Sequence, residues 1–70
     1  MNISELISKL SKIEKENGDI IVVLSSDGEG NSFSPVDSFS VGCYEEETTW
    51  CGEFSQEDEN INAVVIWPIN

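Results

Sequence analysis

The chain has no histidine and no arginine, and beyond Lys15 it has no positive charge of any kind. Each absence closes a route to function. Without histidine there is no side chain that ordinarily titrates near neutral pH, and no evident base to activate a serine. Without a cation between Glu16 and Asn70 there is nothing to hold phosphates. Direct binding to nucleic acid or to an anionic membrane is therefore not expected. No segment approaches the roughly 20 apolar residues of a membrane span. The first residues also lack the basic stretch and apolar run of a secretory leader. The expected location is the cytoplasm.

Cysteine is scarce as well. Cys43 and Cys51 are the two in the chain. A pair eight positions apart with no histidine makes a poor zinc site. In a reducing compartment they are expected as thiols, acting as small buried hydrophobes. A hairpin disulfide formed on oxidation is the alternative.

What the chain does have is acid and a modest apolar content. Seventy residues carry a net charge of −11. All three lysines, Lys9, Lys12 and Lys15, fall in the first fifteen positions, and twelve carboxylates follow from Glu16 onward. Such a surface either keeps the protein soluble or faces a basic partner or a cation. The length sets one domain, residues 1–70. A domain of this size buries only about 60% of the surface of its unfolded chain, so the core is thin. It leaves little room for a substrate pocket of about 300 Å³ or more.

Ile3, Leu6, Ile7, Leu10 and Ile13 recur at helical spacing. Asn2 with Glu5 forms a capping-box pattern, and Asn17-Gly18 is a stop signal. A helix is predicted over Ile3–Glu16. Ile20–Leu24 is β-branched and apolar on both faces, as a central strand would be. Asp27–Asn31 supplies a glycine-rich turn. Pro35 argues against an uninterrupted central strand near Phe33. Phe39, Val41 and Cys43 alternate with small polar residues and predict a half-buried strand. Glu45–Thr49 and Ser55–Asn60 read as solvated loops, Trp50–Phe54 as a short returning strand, and Ala63–Trp67 as the last strand. The fold class is α+β: an N-terminal helix packed on a small, mainly antiparallel sheet of three or four strands. One helix cannot bury both faces of two doubly apolar strands, so long loops or a partner must cover the second face.

Candidate chemistry is sparse. Asp27, Glu29 and Asn31 place oxygens at alternate positions, as calcium loops do. Glu stands where Asp or Asn is required, no glycine follows Asn31, and Ser38 occupies the place of the closing bidentate Glu. No metal and no cofactor are expected. The Glu45-Glu46-Glu47 and Glu57-Asp58-Glu59 runs have no histidine or arginine beside them, so catalysis is not expected. Gly28 and Gly30 precede no helix, which removes a phosphate loop.

Three stretches resemble segments of small proteins encoded by bacteriophages and prophages: Ser25–Pro35, Glu47–Phe54 and Asn62–Pro68. That resemblance implies a gene expressed in bacterial cytoplasm and transfers no site residue. Small acidic phage proteins of this kind resemble one another in strategy, blocking a host enzyme or immune complex as anti-CRISPR proteins and uracil-DNA glycosylase inhibitors do. The chain matches neither of those inhibitor families. The expectation is a stoichiometric, DNA-mimic-like inhibitor of a basic host protein or nucleoprotein complex. Glu45, Glu46, Glu47, Glu57, Asp58 and Glu59 are its candidate contacts, with Trp50 or Tyr44 as apolar anchor. Two alternatives stay open: an accessory interaction module or homodimer acting through an apolar sheet face, and a calcium-binding module.

Overall fold

The computed structural model describes residues 1–69. Helix α1 spans Ile3–Asn17 and is followed by β1 (Val23–Ser25), β2 (Phe33–Glu46), β3 (Gly52–Ser55) and β4 (Ala63–Pro68). The fold is α+β, one helix and a four-stranded antiparallel sheet. No helix among the described residues is long and apolar enough to cross a membrane.

The helix begins and ends where its sequence signals lie. Asn2 Oδ1 accepts a hydrogen bond from the Glu5 N–H at 3.0 Å. Gly18, at φ 86°, donates its N–H to the Glu14 carbonyl. That left-handed backbone favours glycine, and it turns the chain sharply back. The returning segment Gly18–Val23 runs beside Ile7, Leu10 and Ile13 and forms a groove of about 450 Å³ with them. Ile20–Leu24 is therefore not a central strand. Only Val23 and Leu24 of that run enter β1, which pairs with one end of β2.

β2 organises the sheet, because all three other strands pair with it. Val23–Ser25 meets Phe33–Pro35, Pro68–Ala63 meets Val36–Gly42, and Gly52–Ser55 meets Glu46–Cys43. Backbone hydrogen bonds fix which edge each strand takes, since successive residues of a strand point to opposite edges. Ser32 accepts from Ser26 on the β1 side, while the Pro35 carbonyl accepts from Ile69 beyond β4. Farther along, Gly42 accepts from Asn62 on the β4 side, and the Glu47 N–H reaches Cys51 on the other. β1 and β3 thus hold the two ends of one edge of β2, and β4 runs along the opposite edge. Between β1 and β3, the Phe39 and Val41 backbone faces an edge with no strand among the described residues.

β2 runs through Pro35 without a break, contrary to the sequence expectation. The proline lies at the start of the strand, where it costs little, and a register shift at Val36/Ser38 follows it. Glu45 and Glu46 are likewise strand residues rather than loop. The β2–β3 turn therefore begins only at Glu47.

The core is thinner than the composition suggests. Cys43, 9% exposed, is the buried apolar side chain among the described residues, and Gly42 beside it is buried too. The helix buries none of its residues. On the sheet face that carries Phe39 and Val41, the Asp58 loop reaches Cys43, while Phe39 stays 65% exposed.

Candidate functional site

The long β2 strand gives the molecule two chemically different ends. Residues 1–18 hold three lysines against Glu5, Glu14 and Glu16, so their side-chain charges cancel. The remaining residues hold eleven carboxylates and no cation, which accounts for the whole net charge of −11. From Pro35, opposite β1, to Glu46 at the far end is eleven steps of strand, roughly 30–35 Å. The acidic hairpin β2–β3 and the 56–62 loop lie at that far end.

Within it, strand alternation divides the predicted residues between two faces. Cys43 and Glu45 share a face, and Glu45 stands directly across from Glu53. The Asp58 loop returns to this face: Cys43 Sγ and carboxylate oxygens of Glu45 and Asp58 lie within 4.8 Å of one another. Tyr44 and Glu46 share the opposite face, with Tyr44 paired to Phe54. The sequence runs Glu45-Glu46-Glu47 and Glu57-Asp58-Glu59 are therefore not two continuous patches. Glu45, Glu53 and Asp58 form one acidic cluster, while Glu46 sits beside Tyr44 on the other side. Glu53 was not among the predicted residues. Its partner across the hairpin follows from the Gly52 register, which the sequence alone did not fix.

The turn that carries Trp50 is tightly wound. The Cys51 carbonyl accepts from the Glu47 and Thr48 N–H groups at 3.1 and 2.9 Å. Thr48 Oγ1 accepts in turn from the Trp50 and Cys51 N–H groups. These bonds hold Trp50 at the tip, 85% exposed, flanked by Glu47 and Glu53 in sequence. An exposed indole on a rigid turn is the geometry of an interface anchor. Tyr44 is held by a residue the sequence reading missed. Asn62 Oδ1 accepts the Tyr44 N–H at 2.7 Å, and Asn62 Nδ2 donates to the Tyr44 carbonyl at 3.1 Å. Its side-chain amide thus extends the β4 ladder by one peptide-like unit. An Asn directly before a strand was the only available signal. In the 56–62 loop, Asp58 Oδ1 accepts the Asn60 N–H at 2.8 Å, and Ser55 Oγ accepts from Glu57.

Burial first, then the charges of Asp58 and Glu45, push the Cys43 thiol above its ordinary value. That suppresses the thiolate a nucleophile needs. Cys51 cannot pair with Cys43 in this register. Cys43 faces Ser55, so Cys51 lies about four steps along, near 13 Å away. A disulfide needs Cα atoms within about 7 Å. Both cysteines are free.

At the other end of β2, the Asp27 carboxylate organises its own turn. Oδ1 accepts the Glu29 and Asn31 N–H groups, and Oδ2 accepts Asn31 Nδ2 at 2.7 Å. The Asn31 bond leads in holding the Asp27 carboxyl below its ordinary range. Asp27, Glu29 and Asn31 are thus engaged as a hydrogen-bonded turn. Comparison with protein-family models, curated proteins and solved structures finds no match, so function must be argued from these residues themselves.

Proposed function

We propose that this chain is a phage-encoded binding protein, not an enzyme. In this reading its acidic end occupies a basic groove of a host nucleic-acid-binding enzyme or antiviral defence complex and blocks it stoichiometrically. The observation that carries the reading is the segregation of charge. Glu45 opposes Glu53 directly and Asp58 joins them, with no lysine anywhere in that half of the chain. Like charges facing each other across strands destabilise a hairpin. In an isolated protein that arrangement lowers stability; against a cationic groove the same charges are attracted.

The dimensions suit such a groove. The molecule is 37 Å long. Duplex DNA carries a charge per about 1.7 Å of axis, or about 22 over that length, and the chain's net −11 is about half that number. Trp50 supplies the apolar anchor that charge alone lacks, since complementary charge mainly accelerates encounter and orients it.

The test begins with an affinity capture from bacterial lysate at low and high salt. The retained partner is then challenged with duplex DNA. Release by DNA, together with slower association when Glu45, Glu46 and Glu47 become Gln, is the expected result. The amide variant of Glu57, Asp58 and Glu59 should behave similarly, with a shallower salt dependence. Association rates unchanged in both variants would confine the acidity to solubility.

A further inference from the structure

We infer that two copies of this chain associate through the apolar, nearly neutral end, with helix α1 and the Ile20–Val23 segment of each copy packed against those of the other. Size argues first that surface is missing a cover. A compact monomer of 7.7 kDa exposes about 4,300 Å². This chain exposes 6036 Å². Its radius of gyration is 13.8 Å, against about 11 Å for a compact domain of 70 residues. The excess of about 1,700 Å² on one chain is about twice the 800 Å² that each side of a standard protein interface buries, so a dimer seam can be drawn from it.

Position argues next. Ile3, Ile7, Leu10 and Ile13 line one face of α1 and remain 41–60% exposed, and Ile21 beside them is 78% exposed. The groove between the helix and Gly18–Val23 is lined mainly by apolar side chains, with Glu14 on the helix wall and Asp19 on the other as its acidic groups. Ile21 of a second copy is a side chain of the right kind to enter it. The same patch then serves both sides, as a two-fold dimer requires.

Charge argues last, and it selects the occupant. Two chains of net charge −11 repel each other wherever their acidic ends meet. The side-chain charges of residues 1–18 cancel and Ile20–Leu24 carries none, which leaves Asp19 as the one uncompensated charge of residues 1–24. This end is where a second copy can approach with least repulsion, and association there points the two acidic hairpins outward. The sheet face with Phe39 and Val41 is also apolar, but it continues directly into Glu45.

Sedimentation equilibrium of the full chain over a concentration series tests this. The expected species has twice the 7.7 kDa chain mass. Ile21→Asp should raise the dimer dissociation constant at least about 30-fold, the scale of one interface hot spot. Ile21 is so exposed in the single chain that its replacement should leave the circular dichroism of the monomer unchanged. Isotope-filtered NOEs in a mixture of labelled and unlabelled wild-type chains locate the seam without any substitution. Contacts between copies from the Ile7, Leu10 and Ile21 methyls are expected. A 7.7 kDa species at every concentration would overturn the proposal. So would intermolecular contacts confined to Phe39, Val41 and Val64, which would place the interface on the sheet.

Discussion

The two cysteines differ in one physical respect, and it should be visible as a rate. Cys43 is buried beside Asp58 and Glu45, and its thiol is pushed up; Cys51 is exposed, with Thr48 Oγ1 at 3.1 Å from its sulfur. Alkylation at pH 8 in native buffer should label Cys51 at least about tenfold faster than Cys43, because only thiolate reacts. Equal rates would mean that the β2 strand opens freely around Cys43. The raised Cys43 value also has a direction in stability. The folded state holds the proton more tightly than the unfolded one, whose ordinary value is 9.0. That contribution is full below pH 9 and is lost as pH climbs through the folded value. Replacing Cys43 with Ala should flatten the alkaline limb of the stability curve. Asp27 works at the other end of the scale. Its folded carboxyl lies below the ordinary 3.8, so its contribution is present above about pH 3.8 and disappears as pH falls through the folded value. Asp27→Asn should reduce stability at pH 6, and the loss should shrink as pH falls below 3.8, as read from urea midpoints.

At the scale of elements, the β2–β3 hairpin depends on close backbone approach at Gly42. A Cβ there would collide with the Ser55 carbonyl and come within 2.7 Å of the Phe54 ring. Gly42→Ala should therefore cost about 1–3 kcal/mol, the usual range for overpacking. Asn62→Ala removes two hydrogen bonds to Tyr44 and should cost about 1–2 kcal/mol. Amide exchange separates the two. Loss of Asn62 should speed exchange at Tyr44 while Ser40, which faces β4, stays as it was; loss of protection along all of β2 would give Asn62 a wider role.

The same strand shows what the sequence could and could not disclose. Asn2, Glu5 and Gly18 act through bonds to residues three or four positions away, so the helix was readable to within one residue at its end. β4 and the alternation of Phe39, Val41 and Cys43 were equally local patterns. Pro35 misled because its effect depends on where in the strand it lies and on the bulge after it, and pairing register is not a local property. Ile20–Val22 misled for a related reason. Its composition suits a strand, but Gly18 directs it onto the helix before any partner strand is reached. At the site, the acidic residues were visible as runs. Their division between two faces and the role of Asn62 emerged only with the register.

For the whole molecule, charge repulsion should govern how stability responds to salt. The Debye length is about 30 Å in 0.01 M salt and about 10 Å in 0.1 M. The molecule measures 37 × 27 × 23 Å. In dilute salt most of its carboxylates therefore feel one another, and in 0.1 M only near neighbours such as Glu45, Glu53 and Asp58 do. Screening repulsion favours the compact state, so the thermal midpoint should rise steeply from 0.01 to 0.1 M sodium chloride and more slowly beyond. A protein held together by surface ion pairs would respond in the opposite sense. The chain concentration must be held fixed in this measurement, because association of two copies also raises the midpoint by mass action. The Glu45, Glu46 and Glu47 to Gln variant should start higher and climb less, since part of the repulsion has already been removed. Calcium chloride at the same ionic strength separates screening from a built cation site. A midpoint that follows ionic strength alone fits the diffuse acidic end described above. A further saturable rise with calcium, abolished by Asp58→Asn, would instead place a specific cation beside Glu45 and Cys43.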